Sequence, residues 1–237
     1  MASLYLNPTL EIAVVGALVG LEGDEAQHAK TVARARVGER LSIGNGRGLI
    51  VSGTVRALDP FELFVDEFHD EPPASPQLWL VQALAKGDRD ELAVQAATEL
   101  GVTGVVPWAA ERSVTRWDGL KLDKGRARWQ SIVREASKQA IRAWVPEVEP
   151  LVTTAAIVGD VVLVLDPTAP VALTSVALPE QGRIALVVGP EGGISPRELA
   201  LLEQRGATRV RLGAEILRTS TAGPAAIAVL NARLGRW

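Results

Sequence analysis

The sequence contains no cysteine and only two histidines, His28 and His69. The first absence excludes a disulfide framework and any thiolate metal site, and with so few imidazoles no metal is expected. Long apolar runs are also missing. Ile12 to Val19 is the one early apolar stretch, too short to span a bilayer, and no basic segment precedes it as a signal peptide requires. A cytoplasmic protein without a membrane partner is the expectation. There is no internal repeat or low-complexity segment, no G-x-x-x-x-G-K-[ST], and no G-x-G-x-x-G opening a helix. What remains is a chain of 237 residues, 47% hydrophobic and 22% charged, which can bury a core as one large or two small domains.

Charge is unevenly distributed. The whole chain carries −3, but residues 1–76 hold 6 basic and 11 acidic residues, and the remainder holds 19 and 17. Between Arg112 and Arg142 nine Lys/Arg face three Asp/Glu. A local excess of this size attracts phosphates, although a solvated helix face gives the same run.

Pro72-Pro73-Ala74-Ser75-Pro76 fixes φ and removes amide donors, so it reads as a linker. The expected division is 1–72, a 73–76 linker, and 77–237. Ahead of the linker, short apolar runs (41–43, 49–55, 61–65) are broken by turn residues. Asn45-Gly46 suits a tight hairpin, and a small β-barrel is expected. One helix, capped by Asp24, should interrupt it to about Val37; His28 near its start suits packing or the surface as well as nucleic acid.

Beyond the linker, strands and helices alternate, the pattern of an α/β domain with a parallel sheet. Leu78–Leu84, a helix from the Asp88-Arg89-Asp90-Glu91 cap to Gly101, and Val102–Trp108 make a crossover unit. A long helix is expected from about Asp123 to Trp144, with Trp129, Ile132, Val133, Ala136, Ala140 and Trp144 on its packed stripe and its basic residues mostly elsewhere. Val161–Leu165 and Ile184–Val188 read as central strands buried on both faces. Ser195-Pro196-Arg197-Glu198 has the form of a capping box, Arg209–Leu212 reads as a last strand, and a final helix should run from about Gly223 to Leu234.

In parallel sheets ligands bind beyond the carboxyl ends of strands, which selects Asp166-Pro167, Gly189–Ser195 and Leu212–Arg218. Glycines at 189, 192 and 193 let backbone approach a ligand or simply form a tight turn. Glu191 in the middle disfavours phosphate. A nucleoside bearing a positive group fits better, with backbone groups of Gly189, Leu212, Ile216 and Leu217 reading an adenine edge.

Leu186-Val-Val-Gly-Pro-Glu-Gly-Gly-Ile-Ser195 and Leu212-Gly-Ala-Glu-Ile-Leu-Arg-Thr-Ser-Thr-Ala222 resemble the cofactor signature of the RsmE family of ribosomal RNA uridine methyltransferases, in the SPOUT superfamily. Lys86-Gly-Asp-Arg-Asp90, Ala97-Thr-Glu-Leu-Gly-Val102, Glu111-Arg-Ser113, Arg128-Trp129, Glu135–Arg142, and His28 ahead of Val37-Gly-Glu-Arg-Leu41 resemble further family segments in family order. The resemblance covers nearly the whole chain. It implies a PUA-like β-barrel that helps hold RNA, a SPOUT domain tied in a trefoil knot, a homodimer, and S-adenosylmethionine as methyl donor to N3 of a uridine in 16S ribosomal RNA, free or in the 30S subunit. Leu165, Gly189, Pro190, Glu191, Gly192, Leu212, Gly213, Ile216, Leu217 and Arg218 are then expected to hold the cofactor. His28, Arg112, Arg128, Lys138 and Arg142 are expected to meet RNA. For catalysis Arg218 would stabilise negative charge on the uracil; Glu191 is the alternative proton acceptor, or else fixes its own loop. The family commonly has Glu where this chain has Ser220, so no role for that carboxylate carries over; Ser220 can instead cap the last helix. A SPOUT enzyme acting on ribose or a tRNA base, and a non-catalytic ribosome-assembly protein, are the rival readings.

Overall fold

Alternation at period two runs through the longest strands of the N-terminal region, where Val51, Val55, Leu63 and Val65 lie fully inside and their neighbours face outward. The computed structural model describes residues 4–237, which divide into two compact units. The first comprises residues up to Pro73 together with Ser137–Val145. Its strands are β1 (Leu4–Leu6), β2 (Leu18–Leu21), β3 (Arg40–Gly44), β4 (Leu49–Leu58) and β5 (Phe61–Asp70), ordered β1-β3-β4-β5-β2. Only β1 and β3 run parallel; the other pairs are antiparallel. The edge strands β1 and β2 do not pair with each other, so the expected barrel is a curled half-barrel around a core that includes Tyr5, Ile43, Val51 and Phe61.

Local details of this unit differ from expectation. The connection between β3 and β4 spans four residues, with positive φ at Gly46 and Gly48 but not at Asn45, whose carboxamide oxygen accepts from the amides of Arg47 and Leu49. The expected helix over 24–37 is only α1 (Gly23–Gln27) followed by a π-helical turn, His28–Val32. Its N-cap is Glu22 without a side-chain cap, and Arg34 at φ 54 breaks it off.

The second unit holds residues 74–136 and 146–237. Its elements are β6 (Gln77–Ala83), α2 (Arg89–Glu99), β7 (Gly104–Trp108), α3 (Leu120–Gln139, whose last residues belong to the first unit), β8 (Glu147–Val148), β9 (Val161–Leu165), β10 (Val171–Ala172), β11 (Arg183–Val188), α4 (Pro196–Gln204), β12 (Thr208–Arg211) and α5 (Thr219–Arg233). The strands form one parallel sheet, ordered β10-β12-β9-β11-β6-β7-β8. β11 is central and its Ile184–Val188 run is buried throughout, as a strand covered on both faces must be. α5 approaches β6 and β11 closely because position 223 is glycine: a Cβ there would lie 2.9 Å from Leu80 Cδ1 and 3.4 Å from Val188 Cγ2.

Three helix boundaries depart from the sequence reading. Asp88 precedes α2 in the left-handed region and caps nothing with its side chain; the neighbouring Asp90 carboxylate takes the amides of Ala85 and Glu91 instead. α3 stops at Gln139, with Ile141 at φ 52, so Arg142 and Trp144 lie outside it. α5 begins at Thr219, four residues early, with Arg218 at its N-cap; Ser220 is inside the helix and does not cap it.

Candidate functional site

The carboxyl ends of β9, β11 and β12 and the start of α5 enclose a cleft of about 550 Å³ within the second unit. Leu165, Gly189, Pro190 and Glu191 line one side; Leu212, Gly213, Ile216, Leu217 and Arg218 line the other. Gly192 does not line it. Its carbonyl instead accepts from Arg112 Nη1 at 3.0 Å, outside the cleft.

The loop after β11 is fastened at almost every residue. The Gly193 amide donates to the Pro190 carbonyl at 2.9 Å, closing the turn. Glu191 Oε1 accepts from the Lys86 amide at 3.0 Å and pairs with Arg89 Nη1 at 2.9 Å. Burial pushes the Glu191 carboxyl up, but its own amide, the Lys86 amide and Arg89 outweigh this and hold it below its ordinary value. A carboxylate held so is a poor proton acceptor and a good loop anchor. At the end of the loop the Ser195–Glu198 capping box is complete, and Glu198 Oε1 also takes the Glu111 amide at 2.9 Å and Thr154 Oγ1 at 2.9 Å.

Asp166, after β9, lines the cleft floor. Burial raises its pKa, while the Thr168 amide and hydroxyl and the Arg209 guanidinium, 2.6 Å away, bring it below the ordinary range. The loop after β12 is different in kind. Ile216 is 82% exposed, and residues 212–217 have no hydrogen bond within the described residues, leaving backbone donors and acceptors open to a ligand. Among the ionisable groups lining the cleft, Glu215 and Arg218 are without ion-pair or hydrogen-bonding side-chain partners in the described residues. The N-terminus of α5 has no side-chain cap, so its first amides and the positive end of its dipole also face this region.

The residues expected to meet RNA are scattered. His28 is exposed on the π-helical turn of the first unit, edge-on to Tyr5 with ring centroids 6.1 Å apart. Arg128, on α3, is exposed and binds Glu91 Oε2 through Nε at 3.0 Å and Nη2 at 2.8 Å, which raises its pKa. Of the other two, Lys138 is buried rather than on the basic surface the sequence reading gave it, and Arg142 is half-buried. Lys138 is 8% exposed and 3.3 Å from Glu25 Oε1 inside the first unit. Burial lowers the Arg142 pKa to about 10 against the opposing pull of Glu71. Arg142 lies beyond the end of α3 at Gln139, so a helical wheel projected to Trp144 does not place it; Lys138 is still within α3 and pairs with Glu25. Much of the remaining basic run is also engaged, with Arg116 on the carbonyls of Ala110 and Glu111 and Arg126 on that of Val148.

Cleft residues outside the loops that sequence reasoning selected include Arg89, Arg211 and Thr219. The described residues contain no cluster able to hold a metal and no helix long and apolar enough to cross a membrane.

Residues 72–231 match the family described as RNA methyltransferase domain, and residues 21–67 match the RNA methyltransferase PUA domain. The class is thus an RNA methyltransferase carrying a PUA domain. Ribosomal RNA small subunit methyltransferase E of Mycobacterium tuberculosis is 40% identical over 94% of this chain and 89% of its own length; that of Bacillus subtilis is 28% identical over 89% and 88%. A crystal structure of the Neisseria gonorrhoeae protein of the same name, bound to S-adenosyl methionine, superposes with a TM-score of 0.86 at 28% identity, covering 98% of each chain. The chain belongs to the ribosomal RNA small subunit methyltransferase E family.

Proposed function

We propose that this protein transfers the methyl group of S-adenosylmethionine to N3 of a uridine in 16S ribosomal RNA. The observation that carries the reading is the cleft itself, in which one loop is rigidly anchored, the facing loop has free backbone groups, and an unpaired arginine stands beside both. A volume of about 550 Å³ suits a nucleoside-sized ligand, and Leu212, Ile216 and Leu217 offer apolar contact to a base. The S-adenosyl methionine bound in the Neisseria structure, whose chain matches 98% of this one, supports the same cofactor here.

The bound cofactor would supply an activated methyl group for in-line displacement. The chain's contribution is then mostly alignment, with Leu165, Gly189, Pro190, Glu191, Leu212, Gly213, Ile216 and Leu217 holding the donor. Arg218, at the N-cap of α5, is assigned to the negative charge that appears on the uracil as N3 loses its proton. Glu191 is assigned to the loop rather than to that proton, since Lys86 and Arg89 already engage it. For RNA, exposed His28, Arg112 and Arg128 remain, with the half-barrel as a second holding surface; a homodimer, a trefoil knot in the SPOUT domain and a cytoplasmic location complete the reading. Labelled methyl transfer onto purified 30S subunits and onto naked 16S RNA, with mapping of the base, tests it: label on uridine N3 is expected, and label on ribose, on tRNA alone or nowhere sinks it.

A further inference from the structure

Gln82 is fully buried near the end of β6, where register pairs it with Val188, the residue before the cleft loop. A carboxamide inside a parallel sheet is costly unless its polar atoms are bonded. Gln82 Nε2 reaches two acceptors, the Ala83 carbonyl at 3.1 Å and Thr219 Oγ1 at 2.8 Å. Thr219 Oγ1 in turn lies 2.8 Å from the Gly189 carbonyl. The proton directions follow from chemistry alone. A carbonyl only accepts, so the Thr219 hydroxyl donates to Gly189, and its oxygen must then receive from Gln82. Gln82 Oε1 is left without a partner within the described residues, a cost that an apolar side chain of the same length would avoid.

Thr219 has a special place. Among the described residues, its bond to Gly189 is the only hydrogen bond between the loop at 189–194 and the segment from 212 to the first turn of α5. Gly223, one turn further along α5, permits the close packing on Leu80 and Val188 that brings Thr219 within reach. We propose that Gln82 and Thr219 are positioning residues: through the relay Gln82 to Thr219 to Gly189 they lock the two walls of the cleft at the separation the methyl donor requires. The inference rests on the cofactor reading above. Gln82 acts from outside the cleft, by orienting a hydroxyl rather than by touching ligand.

The test is calorimetry with S-adenosylmethionine, alongside steady-state methyl transfer, on the full chain carrying Gln82→Met, Thr219→Val, Thr219→Ser, or Gln82→Met with Thr219→Val. Each single loss of the relay is expected to weaken the cofactor Kd about tenfold while kcat at saturating cofactor stays within roughly threefold. Thr219→Ser, which keeps the hydroxyl, should bind as the parent does. The double substitution should be no weaker than the worse single one, because both remove the same link. A purely structural role would lower thermal stability without this split and without rescue by serine. Should Gln82→Met fail to fold, the isosteric Thr219→Val and its serine counterpart carry the test alone. Parental affinity in the relay variants, or additive losses in the double, overturns the positioning role. No heat of binding in the unsubstituted chain overturns instead the cofactor reading on which it rests.

Discussion

Within one cleft, the loop at 189–194 is tied down by Lys86, Arg89, Arg112 and Thr219, whereas the facing loop at 212–217 has no hydrogen bond within the described residues. The difference separates two requirements that a transfer site must meet together. A fixed wall sets geometry before the ligand arrives, which lowers the cost of ordering it on binding. A wall with open amides and carbonyls supplies the contacts by which a particular base is recognised. The two walls divide the work, since a wall with fewer internal bonds has more backbone groups left to meet a ligand.

The comparison breaks most visibly at Arg218. Replacement by Ala is expected to cut turnover by on the order of 10²-fold with cofactor affinity nearly unchanged, as single-turnover methyl transfer and calorimetry would report. Equal loss in both would return Arg218 to the binding wall. Next in size is Gly189→Ala on the fixed wall, where a Cβ would lie 2.7 Å from Ile194 Cγ1. Overpacking there should cost about 1–3 kcal/mol in a denaturant titration.

Glu191→Gln should cost less, under about 1 kcal/mol, because the pair with Arg89 is partly solvated. Its signature is in pH. The folded carboxyl titrates below its ordinary value, so its contribution is present above the ordinary carboxylate pKa and is lost as pH falls through the folded value. Thermal melts of parent and variant should therefore differ at neutral pH and converge only once pH has fallen below the ordinary carboxylate range. The smallest effect is expected from Gly213→Ala on the open wall, where the nearest atom to a Cβ is Glu215 Oε2 at 3.5 Å. Stability should move by no more than about 0.5 kcal/mol, and a larger drop would mean that this wall is packed after all.

What could be read from the sequence was local or periodic. The Ser195–Glu198 capping box is a three-residue relation and was fully legible, as were the strands β9 and β11 and the loops they feed, although only Leu163 and Val164 of β9 are fully buried. The fixed character of one wall was not, since its ties join residues about a hundred positions apart, as in Lys86 and Arg89 with Glu191. Asp88 misled because a residue suited to capping adopts left-handed backbone, and its neighbour Asp90 receives the amides. Arg142 misled for another reason: no glycine or proline marks the end of α3 at Gln139, and the backbone turns left-handed at Ile141, while Lys138, still in the helix, pairs with Glu25 from far earlier in the chain. Charge counted along the chain therefore overstated the cationic surface.

The inclusion of Ser137–Val145 in the first unit has a consequence for how the molecule comes into being. The half-barrel is encoded first, yet the Lys138 that pairs with its half-buried Glu25, and the Ala143 carbonyl that takes the Gly48 amide, are translated much later. Cut after Pro73, the leading fragment lacks these partners and should be aggregation-prone. On the ribosome it must wait, incomplete, until synthesis has passed Val145.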